Sequence, residues 1–477
     1  LSYGHGKKIQ MSKENIVKKK LLIIGAGPGG YVAAIRAAQM GGEVAIIEKE
    51  DVGGTCLHKG CVPTKCLLQS ARIYREVQDT RKFGVYCSDW SYRFDKMVEA
   101  KGEIVRAQAN GIRSLLRKHK IRLINGKARL LDPHTVEIEG AGRKAGKESA
   151  DAIIISTGSE PLIPAFVPRL GDRVITTTEA LNLDDVPKTI AIIGGSIAGC
   201  EFACLFTTLG SRVTVVEMLS TILPSEDEEI SAFLASQMEK EGIEIICEAR
   251  VNALEKEYPR GRVGVKFEGG GGIEADYCLL ALGRRPCTDG LNLGEVGVRY
   301  SDRGIEVNER METSIPNVYA VGDVTGTILL AHWASAQGIV AAENAMGHEV
   351  RLEGEGVPSC IWTHPEIGSV GVTENEARER GMDVRIGKMH FRSNSMANAL
   401  RESEGFIKVV LDNGDGRIIG IHIIGTHASG LIAEGTIAVR KGMTPDDMKT
   451  IIHAHPTLSE TFQEAMLSAS GLAIHAL

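Results

Sequence analysis

Nowhere in the 477 residues do 18 apolar residues run together, so no membrane-spanning helix is expected. No long basic cluster occurs, and with a formal net charge of −6 nucleic acid is not expected as a partner. The start lacks the apolar block and small-residue cleavage site of an export signal. Residues 1–17 begin on Leu1 and hold Met11 as a candidate start, and they read as a leader, a tag or a disordered arm. The 10 cysteines are scattered rather than arrayed in pairs, and without an export signal a cytoplasmic protein with mostly reduced thiols is expected. Cys66, Cys87, Cys200, Cys204, Cys247, Cys278, Cys287 and Cys360 read as small, inert packing residues. What the chain does have is length for three or four domains, 43% apolar residues to fill their cores, and 55 glycines. Many of those glycines fall where a strand meets a helix.

The chain repeats itself once. Residues 21–48, LLIIGAGPGGYVAAIRAAQMGGEVAIIE, align without a gap on residues 190–217, IAIIGGSIAGCEFACLFTTLGSRVTVVE. Each copy reads as an apolar strand, a glycine turn, an apolar-periodic helix ending at Gly41 or Gly210, and a second strand closing on an acid. That pattern is a βαβ dinucleotide-binding unit. Gly25 is expected to make the tight turn, Gly27 to let backbone approach a pyrophosphate, and Gly30 to let helix pack on strand. Free N–H groups at the helix N-terminus then face the phosphates, and Glu48 accepts from ribose hydroxyls. In the second copy Gly194 and Gly199 keep their places, but Ser196 stands where the middle glycine is expected. Its side chain must point away from the pyrophosphate or bond to it. Glu217 at the second strand's tip suits the free 2′-hydroxyl of NAD and repels the 2′-phosphate of NADP. Unit charges ~4 Å apart at an effective dielectric of ~20 interact by about 4 kcal/mol, which favours NAD by more than two decades.

After the first unit comes GGTCLHKGCVPTKCLLQSARIYREV, with Cys56 and Cys61 just ahead of a helix whose opening is marked by Pro63 and Thr64. A helix N-terminus with Lys59 and Lys65 nearby favours thiolate over thiol. Zinc lacks a second Cys/His pair at ligand spacing, so no metal is expected. A structural disulfide remains an alternative to a redox-active one at this point. Near the other end the chain reads MTPDDMKTIIHAHPTLSETFQEA. Thr444, Pro445, Asp446 and Asp447 open a helix, Pro456 breaks it, and Thr457 starts another. Thr457-x-x-Glu460 reads as a capping box. His455 reads either as an ordinary histidine or as a general base, and His453 as structural.

From about residue 18 onward the sequence resembles the pyridine nucleotide–disulfide oxidoreductase family. The segments that carry the resemblance are GGTC-x-x-x-GC-x-P-x-K, STGS at 156–159, ALGRRP at 281–286, NVYAVGD at 317–323 and HAHPTLSE at 453–460. Within the family it is most similar to the dihydrolipoamide-oxidising branch. The resemblance implies an enzyme with FAD in the first nucleotide unit and NAD in the second, joined by a redox-active disulfide. Cys56 would be the interchange thiol and Cys61 the thiol beside the flavin. Lys65 would sit near the flavin, paired with Glu201. Gly126, Thr157 and Ala331 match contacts to FAD, Asp323 would bind its ribityl chain, and Val251 and Gly283 would line the NAD site. His455 would take the substrate's proton, with Glu460 orienting it. His58 stands where asparagine is common, and Trp333 where a charged residue is common.

The expected architecture is α/β: two Rossmann-like domains at 18–160 for FAD and 161–288 for NAD, a central segment at 289–356 completing the FAD site, and a C-terminal α/β dimerisation domain at 357–477. By the resemblance the protein is a homodimer that oxidises dihydrolipoamide borne on the lipoyl domain of a multienzyme complex, His455 completing the partner chain's site. Two other readings stand beside this one. A sister enzyme would reduce glutathione-like disulfides or mercuric ion; Glu217 opposes NADPH, and the ending LAIHAL has no cysteine pair for mercury. A docking flavoprotein without activity would have no use for the Cys56, Cys61, His455 and Glu460 set. The acidic run Glu226–Glu229 after Pro224 and Ser225 reads as a solvated helix start.

Overall fold

A computed structural model describes residues 19–140, 143–167, 171, 173–258, 261–354 and 356–475, so the arm expected at 1–17 lies outside the described residues. The chain divides into two compact units. One comprises Leu1–Gly54, Gly111–Gly158 and Cys287–Leu352, and the other Thr55–Asn110, Ser159–Pro286 and Glu353–Leu477.

The first unit is built on a parallel sheet in the order Val318–Ala320, Ala152–Ile155, Lys20–Ile24, Glu43–Glu48, Arg122–Asn125. Its central strands are continuous apolar runs because both faces of a parallel sheet are covered. LLII and AIII are buried throughout. Helix Pro28–Gln39 makes the crossover and buries a face of Gly29, Gly30, Ala33, Ala34 and Ala37. Those small residues let helix Ala331–Ala345 lie close: a Cβ on Gly338 would come within 2.4 Å of the Gly29 carbonyl. A three-stranded antiparallel sheet, Lys127–Asp132, Thr135–Gly140 and Arg143–Ser149, adds Leu130 and Val136 to the same core.

The second unit repeats the plan with Glu244–Ile246, Arg212–Val216, Thr189–Ile193, Tyr277–Leu280 and Val174–Thr176 in parallel, and with crossover helix Ile197–Thr208. That helix is apolar nearly all round because helix Cys61–Gln78 packs on it, Leu67 and Ala71 joining Phe202 and Phe206. A five-stranded antiparallel sheet follows, ordered Ser359–Ile361, Glu366–Gly371, Ile418–Gly425, Phe406–Asp412, Val384–His390. Helices Ala428–Lys441 and Ser459–Ser468 back it.

The acidic run corrects the sequence reading. Helix Glu228–Lys240 is capped by Asp227, whose carboxylate accepts from the Glu229 N–H at 3.1 Å; Ser225 plays no part in the cap. Glu228 and Glu229 do face solvent, but Asp227 is only 2% exposed. It meets the equally buried Lys408 of strand Phe406–Asp412 at 2.9 Å, and Glu229 and Glu374 approach the same ammonium at 2.9 and 2.6 Å. Burial works against the Lys408 charge, but the three carboxylates outweigh it and hold its pKa above the ordinary lysine value.

Candidate active site

Both nucleotide turns follow from the glycines. Gly25 has φ +101°, and a Cβ there would lie 2.2 Å from the Ser156 carbonyl oxygen. A Cβ on Gly30 would lie 1.9 Å from the Gly25 oxygen. Gly27 differs, since the protein puts no atom nearer than 4.0 Å to the space of its missing side chain. Packing therefore does not demand glycine at 27, whereas close approach of a pyrophosphate does. No side chain caps the helix that begins at Pro28, which leaves its first-turn N–H groups for an anion. Glu48 accepts from the Ala26 N–H at 2.7 Å and the Glu50 N–H at 2.8 Å, so its carboxylate holds the turn shut. Each oxygen keeps a lone pair for a ribose.

The second copy reproduces this down to the acid, with Glu217 accepting from Gly195 and Leu219 N–H groups at 2.7 and 2.8 Å. Gly194 has φ +107°, and a Cβ on Gly199 would lie 2.0 Å from the Gly194 oxygen. Ser196 resolves the choice left open in the sequence. Its hydroxyl turns inward, donating to the Ala281 carbonyl at 2.8 Å and accepting from the Gly199 N–H at 3.3 Å as the helix N-cap.

Cys56 lies ahead of the long helix, as the sequence suggested. It lies in a short helix of its own, Gly54–His58, and Cys61 is the first residue of helix Cys61–Gln78, two residues earlier than Pro63 implied. Neither cysteine is joined in a disulfide; Cys56 is half-buried and Cys61 exposed. A hydrogen bond from Cys56 is the largest influence on the Cys61 thiol; desolvation of the sulfur opposes it, although the residue as a whole is exposed, Lys65 assists, and the pKa falls to about 7. Lys65, one turn along, is clamped by both oxygens of Glu201 at 2.7 and 2.8 Å. Glu201 is 3% exposed and takes a further N–H from Trp362 at 2.9 Å, so its charge is paired twice over. The other cysteines with a shifted pKa are all pushed up by burial, Cys204 and Cys360 to about 11 and Cys278 to about 12. Cys66, Cys200 and Cys247 shift the same way.

His455 lies on the connection between helices Pro445–Lys449 and Ser459–Ser468, its ring Nδ1 2.9 Å from Glu460 Oε1 and its side chain 70% exposed. The first of those helices ends well before Pro456, and the second starts at Ser459 rather than Thr457. The expected capping box is half formed. Glu460 Oε2 accepts from the Thr457 N–H at 2.9 Å, but the Thr457 hydroxyl donates to the Ala454 carbonyl at 2.8 Å instead of capping. Burial works against the Glu460 charge, yet the Thr457 N–H and the imidazole together hold its pKa below the usual carboxylate range. An ionised carboxylate can only accept, so Nδ1 carries the proton and Nε2 presents its lone pair outward.

The remaining residues singled out in the sequence fall as follows. The Gly126 N–H donates to the Glu48 carbonyl at 2.9 Å, and the Thr157 hydroxyl to the Cys287 carbonyl at 2.7 Å. Asp323 lies in the short 3-10 turn Gly322–Thr325, and Ala331 opens helix Ala331–Ala345, which no side chain caps. Val251 begins strand Val251–Tyr258, and Gly283, at φ +98°, has no neighbour where a Cβ would be. Trp333 is buried, its indole N–H 3.4 Å from the Thr327 hydroxyl. Sequence reasoning missed Asn394, whose buried amide donates to the Thr457 carbonyl at 2.9 Å behind His455, and Gln337, which accepts from the Gly322 N–H at 2.6 Å. Neither carries a local signal, because each acts on a residue distant in sequence.

Comparison with known proteins gives the family. Residues 19–338 match the family model described as pyridine nucleotide-disulphide oxidoreductase, and residues 357–466 match that family's dimerisation domain. Dihydrolipoyl dehydrogenase of Bacillus subtilis is 39% identical over 467 residues, 96% of this chain and 100% of the relative. The enzyme of that name from Geobacillus stearothermophilus is 38% identical, over 96% of this chain and 98% of its own. Among solved structures, LpdA of Mycobacterium tuberculosis superposes with a TM-score of 0.89 at 26% identity, covering 96% of this chain and 100% of that one. The HOCl-induced flavoprotein disulfide reductase RclA of Escherichia coli gives 0.84 at 27% identity, covering 94% and 99%. With two glycine-turn nucleotide folds, a paired-thiol helix and a dimerisation domain matched along nearly its whole length, the chain belongs to the pyridine nucleotide-disulphide oxidoreductase family.

Proposed function

We propose that this protein is a dihydrolipoyl dehydrogenase: it oxidises dihydrolipoyl groups to the cyclic disulfide while NAD⁺ is reduced to NADH with release of a proton. The observation that carries the reading is the joint presence of the Cys56–Cys61 pair, with its thiolate-favouring surroundings, and the His455–Glu460 pair. FAD fits the first turn, where Gly27 keeps the phosphate approach clear, and NAD fits the second, where Glu217 ends the strand. A flavin held at the first turn would supply the two-electron chemistry that links thiol oxidation to nicotinamide reduction.

The chain's own residues do the thiol chemistry. His455 Nε2 takes the proton of a substrate thiol, and the resulting thiolate attacks Cys56 of the oxidised pair, forming a mixed disulfide and releasing Cys61 as thiolate. The second substrate thiol then displaces Cys56 and its proton passes to the Cys56 sulfur, which leaves lipoamide, the Cys56 thiol, the Cys61 thiolate and the first proton on His455. Glu460 holds the imidazole tautomer and stabilises its charged form. In the dithiol the Cys56 hydrogen bond and the Lys65 charge favour the Cys61 thiolate, and the Glu201 charge opposes it.

We further infer that the enzyme works as a homodimer in which His455 serves the partner chain's cysteines, and that its substrate is carried on the lipoyl domain of a multienzyme complex. The dimerisation-domain match supports the first of these. Mixing an inactive Cys56→Ser chain with an inactive His455→Gln chain should restore activity, because one site of the mixed dimer receives both intact halves. A purified, folded heterodimer without recovery returns His455 to its own chain.

A further inference from the structure

From Lys449 to Pro456 every residue is exposed except His453. Ile452 next to it is 96% exposed, and His455 two residues on is 70% exposed at its side chain. His453 alone turns in, with its side chain only 6% exposed and ring Nε2 2.6 Å from Oε1 of Glu434 on helix Ala428–Lys441. The segment gains no inward apolar side chain at these positions, so burial of that one imidazole fastens its middle. Its other fastenings lie at the ends. Upstream, Gln463 donates to the Ile451 carbonyl at 2.9 Å; downstream, Asn394 donates to the Thr457 carbonyl at 2.9 Å and Glu460 accepts from the Thr457 N–H. Between them, among the described residues, the stretch is tied to helices by the His455–Glu460 pair itself and by the His453–Glu434 contact, and of these two the second is the buried one.

We propose that His453, through Glu434, is a positioning residue for the dihydrolipoyl reaction, fixing where His455 Nε2 stands. The inference rests on the reading of His455 as the base. The chemistry of the contact is defined. The Glu434 carboxylate accepts, so Nε2 of His453 donates, while Nδ1 is buried and has no hydrogen-bond partner among the described residues. One donor at the Nε2 position is therefore all the contact needs, and glutamine can place an amide N–H there while leucine cannot.

The test is a comparison of His453→Leu, His453→Gln and His455→Gln in the flavin-loaded enzyme. Two reactions are measured, oxidation of free dihydrolipoamide by NAD⁺ and reduction of ferricyanide by NADH, which needs no base for a thiol. Misplacing a catalytic group by about 1 Å costs up to ~100-fold. His453→Leu should accordingly lower kcat for dihydrolipoamide by about 10- to 100-fold with ferricyanide reduction and thermal midpoint near the parent's, and His453→Gln should recover most of the loss. Unchanged kcat in His453→Leu overturns the inference. An equal fall in both reactions, or equal loss in the glutamine variant, also overturns it, since each would mark the residue as structural filling. If His455→Gln itself turns over normally, the base reading falls first and takes this one with it.

Discussion

Replacing Cys56 with alanine removes the largest influence that lowers the Cys61 pKa, while Lys65 stays in place. With a pKa near 7, about half of Cys61 is thiolate at neutral pH; at the ordinary 9.0 about 1% is, a roughly fifty-fold difference. The rate of alkylation does not fall by that whole factor. A thiolate of higher pKa is the better nucleophile, with a Brønsted slope of about 0.4–0.5, which returns roughly eight-fold over a shift of about two units. The net expectation is a rate at pH 7 lower by about five- to ten-fold, and a pH midpoint moved up toward the ordinary thiol value. The midpoint is the cleaner readout, because nucleophilicity does not move it. Iodoacetamide labelling of the reduced protein, resolved at Cys61 by peptide mass spectrometry, measures both. Cys56→Ser keeps a hydroxyl donor and should hold the midpoint close to 7. If Cys56→Ala and Cys56→Ser titrate alike, the hydrogen bond is not what lowers the thiol, and Lys65 with the helix N-terminus must do so.

Other expectations are as direct. His455→Gln should lower dihydrolipoamide turnover by about 10²–10⁴-fold with the flavin retained, and Glu460→Gln by less, as steady-state kinetics will show. Lys408→Met leaves Asp227 buried without its cation and should cost about 3–5 kcal/mol, read as a fall in the denaturant midpoint. Ser196→Gly should leave the preference for NAD⁺ over NADP⁺ at about two decades or more, because Glu217 sets it. It should lower the thermal midpoint slightly and bring no gain in NAD⁺ affinity, since the serine caps the helix and does not crowd the phosphates.

The glycine turns were legible in the sequence because backbone sterics admit no other residue at their first and last glycines. Gly25 and Gly30 sit against carbonyl oxygens wherever this unit is built, and the spacing therefore travels with the fold. The helix start at Thr444 was legible too, from its cap, proline and acids, and the structure adds a capping box with Asp447. The Glu226–Glu229 run misled for the opposite reason: what buries Asp227 is Lys408, a residue 181 positions away that no local pattern announces. The short helix around Cys56 also escaped notice, since five residues are too few to show a periodicity. Family likeness marked Lys65 and Glu201 as partners; the Trp362 N–H that shares the carboxylate belongs to tertiary packing alone.

The inward hydroxyl of Ser196 has a thermodynamic consequence that separates the two nucleotide folds. A turn that already carries its own cap gains comparatively little order when a ligand arrives. The turn at Gly27 lacks any such internal substitute, and its helix N–H groups find their best partner in a bound phosphate. By mass action, ligand binding to that first fold adds to the stability of the whole unit around it. The first nucleotide is thus expected to order its turn on binding, whereas the second would meet a turn whose shape is already held.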